Sequence, residues 1–589
     1  MSLLNQGRQL LLNNALKELF PLLGCLSRRF AATWNYEEEK KNFKLQAPPF
    51  YNFARDIVDK WAEIEKTGER GNNPALWWVD ESGRELQWSF QDVSYQSKLV
   101  ANVLKEACKL ETNDVVIVIL PRVPQWWAIN VAAIRAGIIL SPGTTLLRSS
   151  DVKYRINASN AKCIITNAQC ADTVDEVADS CPSLQSKIIV GEGENRAGWM
   201  NYEELVRKST DTFQCINSKA GDPMTVFFTS GTTGAPKMTE HSHSSYGLGH
   251  LITARYFLDL SPNDVLWNLS DTGWAKCAWS SLFSPWIAGA CVFVQDSSKF
   301  DPQQTLQILN SKPISKFCAP PTAVRFLQVE RNFLEIRKHA YLRHCVSGGE
   351  PVNPELLEEW EEGTGLKLFE GYGQTETTFL CGTYSSIEQR PGSMGKPAPG
   401  YHIQIVDDDG QILPRGKEGN IGILCKPHKP VGLFTRYIDD DERMRSVFVG
   451  DYYLTGDRAI MDEEDYVWFV GRSDDVIISS GYRIGPFEVE SALLEHPAVL
   501  ESAVVSSPDY NRGEVVKAFV TLTEPYKTSD QDQLAKELQE HTKQVTAPYK
   551  YPRKIEFVDI LPKTVSGKIR RVELRNKEWG RTSENTQDM

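Results

Sequence analysis

The sequence contains no C-x-x-C pair, although its 12 cysteines extend from Cys25 to Cys425. Closely spaced thiols mark both zinc sites and disulfide frameworks, so their absence argues against either kind of site. The cysteines are therefore expected to be reduced, buried thiols. Long apolar runs are also missing. No run approaches the roughly 18 residues that cross a bilayer, so no transmembrane segment is expected.

An excess of positive charge is absent as well. The 65 basic and 77 acidic side chains give a formal net charge of −12, which provides no electrostatic reason to expect nucleic acid. A local basic pocket for a small polyanion is still compatible with this charge. With 41% hydrophobic and 24% charged residues, the composition is that of a globular protein. Its 589 residues exceed one typical core, so at least two domains are expected.

The N-terminal segment differs from the rest of the chain. Arg8, Lys17, Arg28 and Arg29 stand against the single acid Glu18, and several leucines can line one side of a helix. This pattern predicts an amphipathic mitochondrial transit peptide over residues 1–33. An ordinary N-terminal helix is the alternative.

Apolar runs of strand length follow further along the chain. Val115–Leu120, Ile164–Thr166 and Lys187–Val190 are rich in β-branched residues, and helical stretches such as Gln125–Ala136 lie between them. Continuous apolar strands that alternate with helices predict a parallel α/β sheet covered on both faces.

The strongest candidate for a phosphate site is the Gly- and Thr-rich run after the predicted strand Met224–Phe228. Glycines let backbone amides turn towards one anion, hydroxyls add donors, and a lysine adds positive charge. An ordinary P-loop is not expected, because Pro236 stands where that motif needs Gly before Lys. A polar surface loop without a ligand is the alternative. The run comprises Thr229, Ser230, Gly231, Thr232, Thr233, Gly234, Ala235, Pro236 and Lys237.

Two further Gly-rich turns, Ser347–Pro351 and Glu370–Glu376, are predicted at strand ends. Glycines there would let an aromatic base lie close to the backbone, and Tyr372 would stack on that base. Glu376 would hold Mg²⁺ against phosphate oxygens. Each turn alone is equally well explained as purely structural. Together with the loop at Thr229, they are expected to converge on one crevice at the carboxyl edge of a parallel sheet.

Other side chains suit particular parts of a nucleotide or an apolar substrate. Trp274 follows a polar turn and would wall an apolar pocket, although tryptophan is more often core. Asp457, in a predicted Thr-Gly-Asp turn, is suited to ribose hydroxyls, and Arg472 to a phosphate or ribose. A turn cap and a solvated surface cluster are the alternatives. The composition changes after Asp474, which predicts a domain boundary there.

The last chemical segment is Leu561–Arg571, in which Lys568 follows a loop bounded by proline and glycine. A soluble basic end is the ordinary explanation of such a segment. The alternative is a loop that delivers one ammonium group to a remote site.

These motifs, in this order, resemble the acyl-adenylate-forming enzymes, most closely the mitochondrial medium-chain acyl-CoA synthetases. The resemblance is carried by T-S-G-T-T-G-x-P-K from Thr229, E-G-Y-G-Q-T-E from Glu370, T-G-D ending at Asp457, G-R-x-D-D from Gly471, and P-K-T-x-S-G-K ending at Lys568. Any one motif is moderate evidence, whereas five in order are very specific. The sequence departs from the family at Leu146, where a Gln is expected. This departure puts a coenzyme A contact at that position in doubt.

The resemblance implies an α/β fold. A large N-terminal domain, residues 34–473, would bind ATP and the acyl group, and would combine β-sheets flanked by helices with a small distorted β-barrel. A small, mobile α+β lid, residues 474–589, would follow. The implied function is ATP-dependent activation of medium- or short-chain fatty acids in the mitochondrial matrix. The carboxylate attacks the α-phosphate of ATP, which yields acyl-AMP and pyrophosphate, and the coenzyme A thiol then attacks acyl-AMP.

The resemblance also implies the site residues. Lys568, Glu376 and Thr375 would be catalytic, with Mg²⁺ on Glu376, and Asp474 would be the hinge. Besides the loop from Thr229 to Lys237, the implied nucleotide-binding residues are Gly349, Glu350, Pro351, Glu370, Gly371, Tyr372, Gly373, Gln374, Thr375, Asp457, Arg472 and Lys568. Coenzyme A would meet Ser480, Gly481, Tyr482, Arg512, Lys543, Tyr551, Pro552 and Arg553, and the acyl group Trp274, Thr375 and Arg483.

Two alternatives stay open. An adenylating enzyme with another acceptor is disfavoured by the presumed transit peptide and by the absence of a carrier segment after Lys568. A nucleotide-binding sensor without catalysis is disfavoured because Glu376 and Lys568 are both present. The expected partners are the fatty acid, ATP and coenzyme A. Motifs report neither the chain-length preference nor the oligomeric state, monomer or homodimer.

Overall fold

A computed structural model describes residues 34–229, 236–297, 299–330, 332–338, 341–473, 475–479, 482–509, 512–546, 549–563 and 568–580. The predicted transit peptide lies outside these ranges. In the part of the chain that the structure describes, no helix is long and apolar enough to cross a membrane.

Strands make up most of the framework. They are β1 Leu76–Val79, β2 Glu85–Trp88, β3 Val115–Ile119, β4 Ile139–Gly143, β5 Cys163–Asn167, β6 Ser186–Val190, β7 Met200–Asn201, β8 Pro223–Thr229, β9 Lys237–Ser242, β10 Val265–Asn268, β11 Cys291–Gln295, β12 Lys316–Ala319, β13 His344–Gly348, β14 Leu368–Gln374, β15 Thr378–Gly382, β16 Lys396–Pro397, β17 Ile403–Val406, β18 Glu418–Leu424, β19 Arg436–Tyr437, β20 Phe448–Val449, β21 Tyr452–Met461, β22 Val467–Arg472, β23 Ile477–Ser479, β24 Tyr482–Ile484, β25 Val499–Asp509, β26 Gly513–Leu522 and β27 Lys554–Phe557.

Helices connect these strands. They are α1 Tyr36–Asn42, α2 Lys60–Thr67, α3 Phe90–Asn102, α4 Pro124–Ala136, α5 Ser149–Ser159, α6 Ala168–Asp175, α7 Tyr202–Lys208, α8 His250–Ile252, α9 Ala275–Ala278, α10 Ser284–Ile287, α11 Pro302–Ser311, α12 Pro321–Gln328, α13 Pro354–Thr364, α14 Asp441–Ser446, α15 Pro486–Leu494, α16 Gln531–Val545 and α17 Arg571–Glu578.

Two large sheets form the N-terminal part of the fold. Among the described residues, one sheet has eight strands in the order β19-β9-β8-β4-β3-β5-β6-β7, which are parallel from β8 to β7. The other has nine, in the order β16-β15-β14-β13-β12-β10-β11-β1-β2, which are parallel from β14 to β1. The predicted parallel α/β architecture is therefore confirmed.

Helix α4 shows why the two sheets stay together. Pro124 stands at its first turn and Gly137 ends it in the left-handed conformation, so the local sequence starts and stops the helix. The helix is apolar on nearly every side, and both Trp126 and Trp127 are buried. Its core cluster includes strand residues of both sheets, such as Val116 of β3 and Val292 of β11. A helix that is apolar all round is expected in such an interior position.

Two smaller sheets follow along the chain. Strands β17, β18, β21 and β20 form one, with β22 beside β21, in the region where a small distorted barrel is expected. The C-terminal sheet has the order β24-β23-β26-β25, with β27 beside β26, and α15 and α16 pack on it. Val504, Val516 and Leu538 belong to a core that is separate from that of the large sheets. This separation is the basis of a small C-terminal domain.

Two predicted turns are wrong in detail. Glu370–Gln374 belongs to β14, which is extended and antiparallel to β15 with a register shift after Tyr372, and the turn begins only at Thr375. Asp457 lies within β21, not in a turn. In β14, glycine marks a close approach of backbones inside the sheet, whereas Gly456 before Asp457 has a left-handed φ of 75°. A Cβ added at Gly373, for example, would lie 2.0 Å from the carbonyl oxygen of Thr378.

Candidate active site

The Gly- and Thr-rich run connects the two strands of a hairpin. Thr229 ends β8 and pairs with Lys237 at the start of antiparallel β9. The Oγ1 atom of Thr229 is buried and has no hydrogen-bond partner among the described residues. The Pro236 carbonyl accepts a hydrogen bond of 3.0 Å from the Tyr154 hydroxyl. Ser230, Gly231, Thr232, Thr233, Gly234 and Ala235 lie outside the described residues.

Glu376 lies where the two large sheets meet. It follows β14 of the nine-stranded sheet and is 8% exposed. Its Oε1 accepts a hydrogen bond of 2.9 Å from the hydroxyl of Tyr437, a residue of β19 in the eight-stranded sheet. The ammonium of Lys237 lies 5.5 Å from the centre of the same tyrosine ring. The hairpin of β8 and β9, called the phosphate-loop hairpin from here on, and the Glu376 carboxylate are thus neighbours where the two large sheets meet.

His241 ties the hairpin to the turn at Thr375. Its Nε2 lies 2.6 Å from the Thr375 carbonyl oxygen, and its Nδ1 lies 2.9 Å from the Ser245 hydroxyl. Burial lowers the pKa of His241 to about 3, so the ring is neutral at physiological pH. Since a carbonyl can only accept, Nε2 donates and Nδ1 accepts the serine proton. The crevice is therefore built between two sheets, and the expectation that one sheet edge supplies all three turns is wrong.

Asp457 is a buried acceptor with unused capacity. One carboxylate oxygen, Oδ2, accepts hydrogen bonds from the Tyr372 hydroxyl at 2.5 Å and the Gln374 amide at 2.6 Å. The other, Oδ1, lies 3.2 Å from Nε of Arg472 but accepts no hydrogen bond from the described residues. Burial raises the pKa of Asp457, while the positive charge of Arg472 lowers it. The free Oδ1 can accept a ligand hydroxyl.

The side chain of Glu370 points into the protein. It is 5% exposed, and its Oε1 accepts a hydrogen bond of 3.2 Å from the amide of Val352. Burial raises the pKa of Glu370 to about 8, so the group is mostly protonated at neutral pH. Glu370 therefore holds the backbone at Val352, directly after the segment Gly349–Pro351. In that segment, Glu350 accepts a hydrogen bond of 3.1 Å from the Thr322 hydroxyl.

Trp274 is half-buried at the start of α9. The preceding Gly273 lies against the first turn after β4, and a Cβ added there would meet the amide nitrogen of Thr144 at 2.1 Å. Asp271 accepts the Gly273 amide at 2.8 Å, and burial raises the pKa of its carboxyl. The turn before Trp274 therefore joins the nine-stranded sheet to the eight-stranded sheet.

Lys568 acts on this crevice from the C-terminal domain. Its positive charge lowers the pKa of Asp457 and that of Lys276. An isolated antiparallel bridge joins Lys563 to Ile569, the residue that follows Lys568. The convergence of Lys568 on the residues around Asp457 stays a prediction.

Two ion pairs connect helix α17 to other parts of the C-terminal domain. Arg571 pairs with Glu490 through two contacts of 2.9 and 2.6 Å, and Arg575 pairs with Asp475 at 2.7 Å. The predicted hinge residue, Asp474, lies outside the described residues, next to Asp475. The second pair therefore connects α17 to the residue that directly follows the predicted hinge.

The residues predicted to meet coenzyme A are distributed over the C-terminal domain. Lys543 and Arg553 lie on the ring of Tyr551, at 4.5 and 4.8 Å from its centre. Pro552, which follows Tyr551 in the sequence, is buried. Arg512 is exposed next to the start of β26. Ser480 and Gly481 lie outside the described residues, and Tyr482 and Arg483 belong to β24.

Three further residues that sequence reasoning did not single out contribute to the crevice: His241, Tyr437 and Lys276. Lys276 donates a hydrogen bond of 3.2 Å to the carbonyl oxygen of Gly348, at the end of β13. The only signal for Lys276 is a lone basic residue within the otherwise uncharged stretch from Trp274 to Phe283. His241 and Tyr437 carry no sequence signal, because their roles depend on the meeting of two sheets.

This geometry is matched by known proteins. Residues 64–425 match the family model "AMP-binding enzyme", and residues 488–568 match "AMP-binding enzyme C-terminal domain". The mitochondrial acyl-coenzyme A synthetase ACSM3 of Homo sapiens is 54% identical over 545 residues, 92% of each chain. Mitochondrial ACSM4 of Homo sapiens is 52% identical over 532 residues, 90% of this chain and 91% of the relative.

A solved structure has the same fold. The anthranilate CoA ligase AuaEII, in complex with anthranoyl-AMP, superposes with a TM-score of 0.80 at 28% identity, over 90% of this chain and 98% of that chain. The chain therefore belongs to the AMP-binding, adenylate-forming enzymes. Within this family it is an acyl-CoA synthetase, which activates fatty acids with ATP through an acyl-AMP intermediate.

Proposed function

We propose that the protein is an Mg²⁺-dependent ligase that joins short- or medium-chain fatty acids to coenzyme A in the mitochondrial matrix. The observation that carries this proposal is the meeting of the β8–β9 hairpin with the segment Thr375–Glu376, which His241 and Tyr437 join by hydrogen bonds. The location is supported by the amphipathic N-terminus, and the similar chains ACSM3 and ACSM4 are mitochondrial proteins.

In the first half-reaction, a carboxylate and a polyphosphate must approach one another although both are anions. Positioning and cations therefore supply the catalysis, rather than a protein nucleophile. Lys568 bridges the carboxylate and the α-phosphate and stabilises the charge that develops between them. The loop from Thr229 to Lys237 holds the leaving pyrophosphate, and the turn at Thr375 holds the α-phosphate.

A magnesium ion fits the carboxylate of Glu376. A carboxylate is a hard oxygen ligand, which is the type that Mg²⁺ prefers. Glu376 would hold the ion, which supplies charge neutralisation on the phosphates when bound. Tyr437 orients the carboxylate through its hydrogen bond to Oε1.

The nucleoside occupies the other side of the crevice. The Oδ1 of Asp457, which accepts no hydrogen bond from the described residues, accepts a ribose hydroxyl, and the positive charge of Arg472 acts to lower the pKa of that carboxyl against the effect of burial. Tyr372 stacks on the adenine, beside the backbone from Gly349 to Pro351. Because Glu370 faces inwards, its contribution is to support that backbone rather than to touch the base.

In the second half-reaction, Lys568 leaves and the thiol of coenzyme A enters. We assign this exchange to a rotation of the domain 474–589 against the domain 34–473 about Asp474. Residues Ser480, Gly481 and Tyr482 then line the pantetheine channel, with Arg483 near the acyl end. Arg512 and the cluster Lys543–Tyr551–Arg553 meet the phosphates of the coenzyme A nucleotide, where positive charge suits several anionic groups.

Initial rates with straight-chain acids of increasing length, and with benzoate, test this function. We expect acid-dependent release of pyrophosphate, followed by coenzyme A-dependent formation of thioester, with a maximum at short or medium length. Synthetic acyl-AMP supplied with coenzyme A, and separately with molecular oxygen, distinguishes the thioester route from another acceptor. Release of pyrophosphate that does not depend on acid would contradict the proposal and favour a nucleotide sensor.

Localisation has a test of its own. A fusion of residues 1–33 to a fluorescent protein is expected to enter the mitochondrial matrix. The matched control replaces Arg8, Lys17, Arg28 and Arg29 by glutamine, which removes the positive charge of the segment and should abolish import.

A further inference from the structure

Lys276 places an ammonium group in the wall of the crevice. It follows Trp274 by two residues, on α9, and is half-buried. Its Nζ donates a hydrogen bond of 3.2 Å to the Gly348 carbonyl, directly before the segment Gly349–Pro351. The charges of Glu350 and Lys568 both act on it. Lys276 thus lies between the proposed nucleotide site and the wall assigned to the acyl group.

Within the described part of the chain, this ammonium has no counter-ion. Among the described residues, no carboxylate oxygen lies within 4.0 Å of Nζ, and the Gly348 carbonyl is its hydrogen-bond acceptor. Glu350 acts on Lys276 only through space, and its Oε2 accepts a bond from Thr322. Burial lowers the pKa of Lys276. A cation withdrawn from water without an anionic partner is costly, so the site is completed by an anion from outside.

Two buried side chains with polar atoms, Tyr246 and His250, lie next to α9. The carbonyl of the preceding Ala275 accepts a hydrogen bond of 2.9 Å from the Tyr246 hydroxyl. Tyr246 packs edge-on against His250, which is 1% exposed and whose Nε2 has no hydrogen-bond partner among the described residues. The imidazole of His250 stacks on Trp279 at 6.2 Å. The Nε2 atom of His250 is a buried polar atom that a plain hydrocarbon chain beside it would leave unpaired.

The reacting carboxylate and the α-phosphate are the other anions available. Lys568 and the turn at Thr375 already serve them in the proposed mechanism. Lys276 instead projects from the same short helix that Trp274 begins, and Trp274 is assigned to the acyl wall. The anion that reaches Lys276 therefore belongs to the acyl part of the substrate.

We propose that Lys276 is a specificity-determining residue, which directs the acyl pocket towards fatty acids that carry a second carboxylate. One carboxylate of such a dicarboxylic acid is adenylated, and the other pairs with the Lys276 ammonium. This proposal rests on the proposed function, because that function assigns the acyl side of the crevice. The chemistry of the reaction is unchanged, and only the choice of acid differs.

Matched pairs of acids test this assignment in the full-length protein. The pairs are succinate with butanoate, glutarate with pentanoate, and adipate with hexanoate, each with ATP, Mg²⁺ and coenzyme A. We expect wild-type kcat/KM to favour the dicarboxylate of at least one pair by about tenfold or more, because a charge-assisted contact is gained. Lys276→Met keeps the length of the side chain without its charge. It should lower kcat/KM for that dicarboxylate by roughly 10- to 100-fold and leave or raise that for the monocarboxylate.

Two variants sharpen the comparison. Lys276→Arg keeps the charge and should retain part of the preference, whereas Lys66→Met removes an exposed lysine of α2 and should change neither acid. A proportional loss for both acids of each pair in Lys276→Met would overturn the proposal, because it would place Lys276 on the nucleotide or on the reacting carboxylate. A wild-type preference for the monocarboxylate in every pair would also overturn it.

A binding measurement separates this proposal from the proposed function. If no acid of either series supports formation of AMP, the ligase function fails, but the pocket can still be probed. We then expect at least one of the three dicarboxylates to raise the thermal unfolding midpoint of the wild type and not that of Lys276→Met. Equal shifts in the two proteins, or no shift in either, would refute the role of Lys276.

Discussion

At the scale of the residue, Lys568 connects the two domains through its charge. It belongs to the C-terminal domain, yet its charge is among those that act to lower the pKa of Asp457 in β21 and of Lys276 on α9. A single cation delivered in this way can be withdrawn when the domain moves. Its contribution should therefore be confined to one half-reaction.

We expect Lys568→Ala to lower the rate of acyl-AMP formation at least about 100-fold, the usual effect of removing one group that stabilises developing charge. The rate of thioester formation from supplied acyl-AMP should change little. Single-turnover assays of each half-reaction measure both rates. Lys563→Ala, in the same hairpin, is the control, since Lys563 pairs with Glu501 at the surface. Comparable losses in both halves would contradict the role of Lys568.

Glu370 makes the stability of the fold depend on pH. Burial raises its pKa to about 8, from the ordinary value of 4.5. Between these values the folded protein holds a proton that the unfolded chain has lost. The free energy of unfolding therefore falls as the pH rises from about 5 to 8, by about 1.4 kcal/mol per pH unit at most.

Glu370→Gln removes this titration, because its amide is neutral in both states. We expect a flatter dependence of the thermal unfolding midpoint on pH than in the wild type over that range. The control, Glu463→Gln, changes an exposed glutamate and should keep the wild-type slope. Parallel slopes for the wild type and Glu370→Gln would show that Glu370 does not hold the proton.

At the scale of the element, the turn before α9 holds the two large sheets in contact. Gly273 lies against Thr144 so closely that a Cβ would be 2.1 Å from the backbone nitrogen. The backbone of Thr144 cannot move away from a new Cβ as the end of a flexible side chain could. The turn therefore requires glycine, and Trp274 and Lys276 depend on its position.

Gly273→Ala is expected to destabilise the protein by about 1–3 kcal/mol, the usual cost of overpacking. It should also raise KM for the acid, because the wall of the acyl site moves. Denaturant unfolding and initial rates measure these effects. Gly221→Ala is the control, since a Cβ there would meet nothing within 4 Å. A wild-type midpoint and KM in Gly273→Ala would contradict the close contact.

The connection between the domains is a second element with a testable role. Asp474→Pro fixes φ at the predicted hinge and should spare acyl-AMP formation while slowing thioester formation about tenfold or more. Asp474→Ala leaves the backbone free and should preserve both rates. An unchanged overall rate in Asp474→Pro would argue against alternation of the domains about this residue.

At the scale of the whole molecule, the two half-reactions differ in their need for metal. Only the first involves the charge of ATP and pyrophosphate, which Mg²⁺ offsets. Chelation of Mg²⁺ is therefore expected to lower the rate of acyl-AMP formation at least about 100-fold and to leave thioester formation from acyl-AMP unchanged. Restored activity on adding Mg²⁺ back controls for damage to the protein. A similar loss in both halves would argue for a structural metal instead.

Much of the framework follows from local sequence. The apolar run at Val115 predicts a buried parallel strand, and the structure has β3 at Val115–Ile119. The helical stretch predicted over Gln125–Ala136 is helix α4, Pro124–Ala136, in the structure. Local pattern failed at Glu370–Gln374, where glycines suggested a turn but the chain is extended in β14. Glycine permits both conformations, and pairing with β15 decided between them.

By itself, the sequence determined the order of the chemical groups along the chain and the alternation of strands and helices, because both depend on neighbouring residues. Only the tertiary structure decided which sheets these groups join. It placed the phosphate-loop hairpin and the Thr375 turn on different sheets, linked through His241. It also turned Glu370 inwards and brought Lys276 to Gly348. The direction of a side chain and the distance between remote segments are set by packing, which sequence spacing does not report.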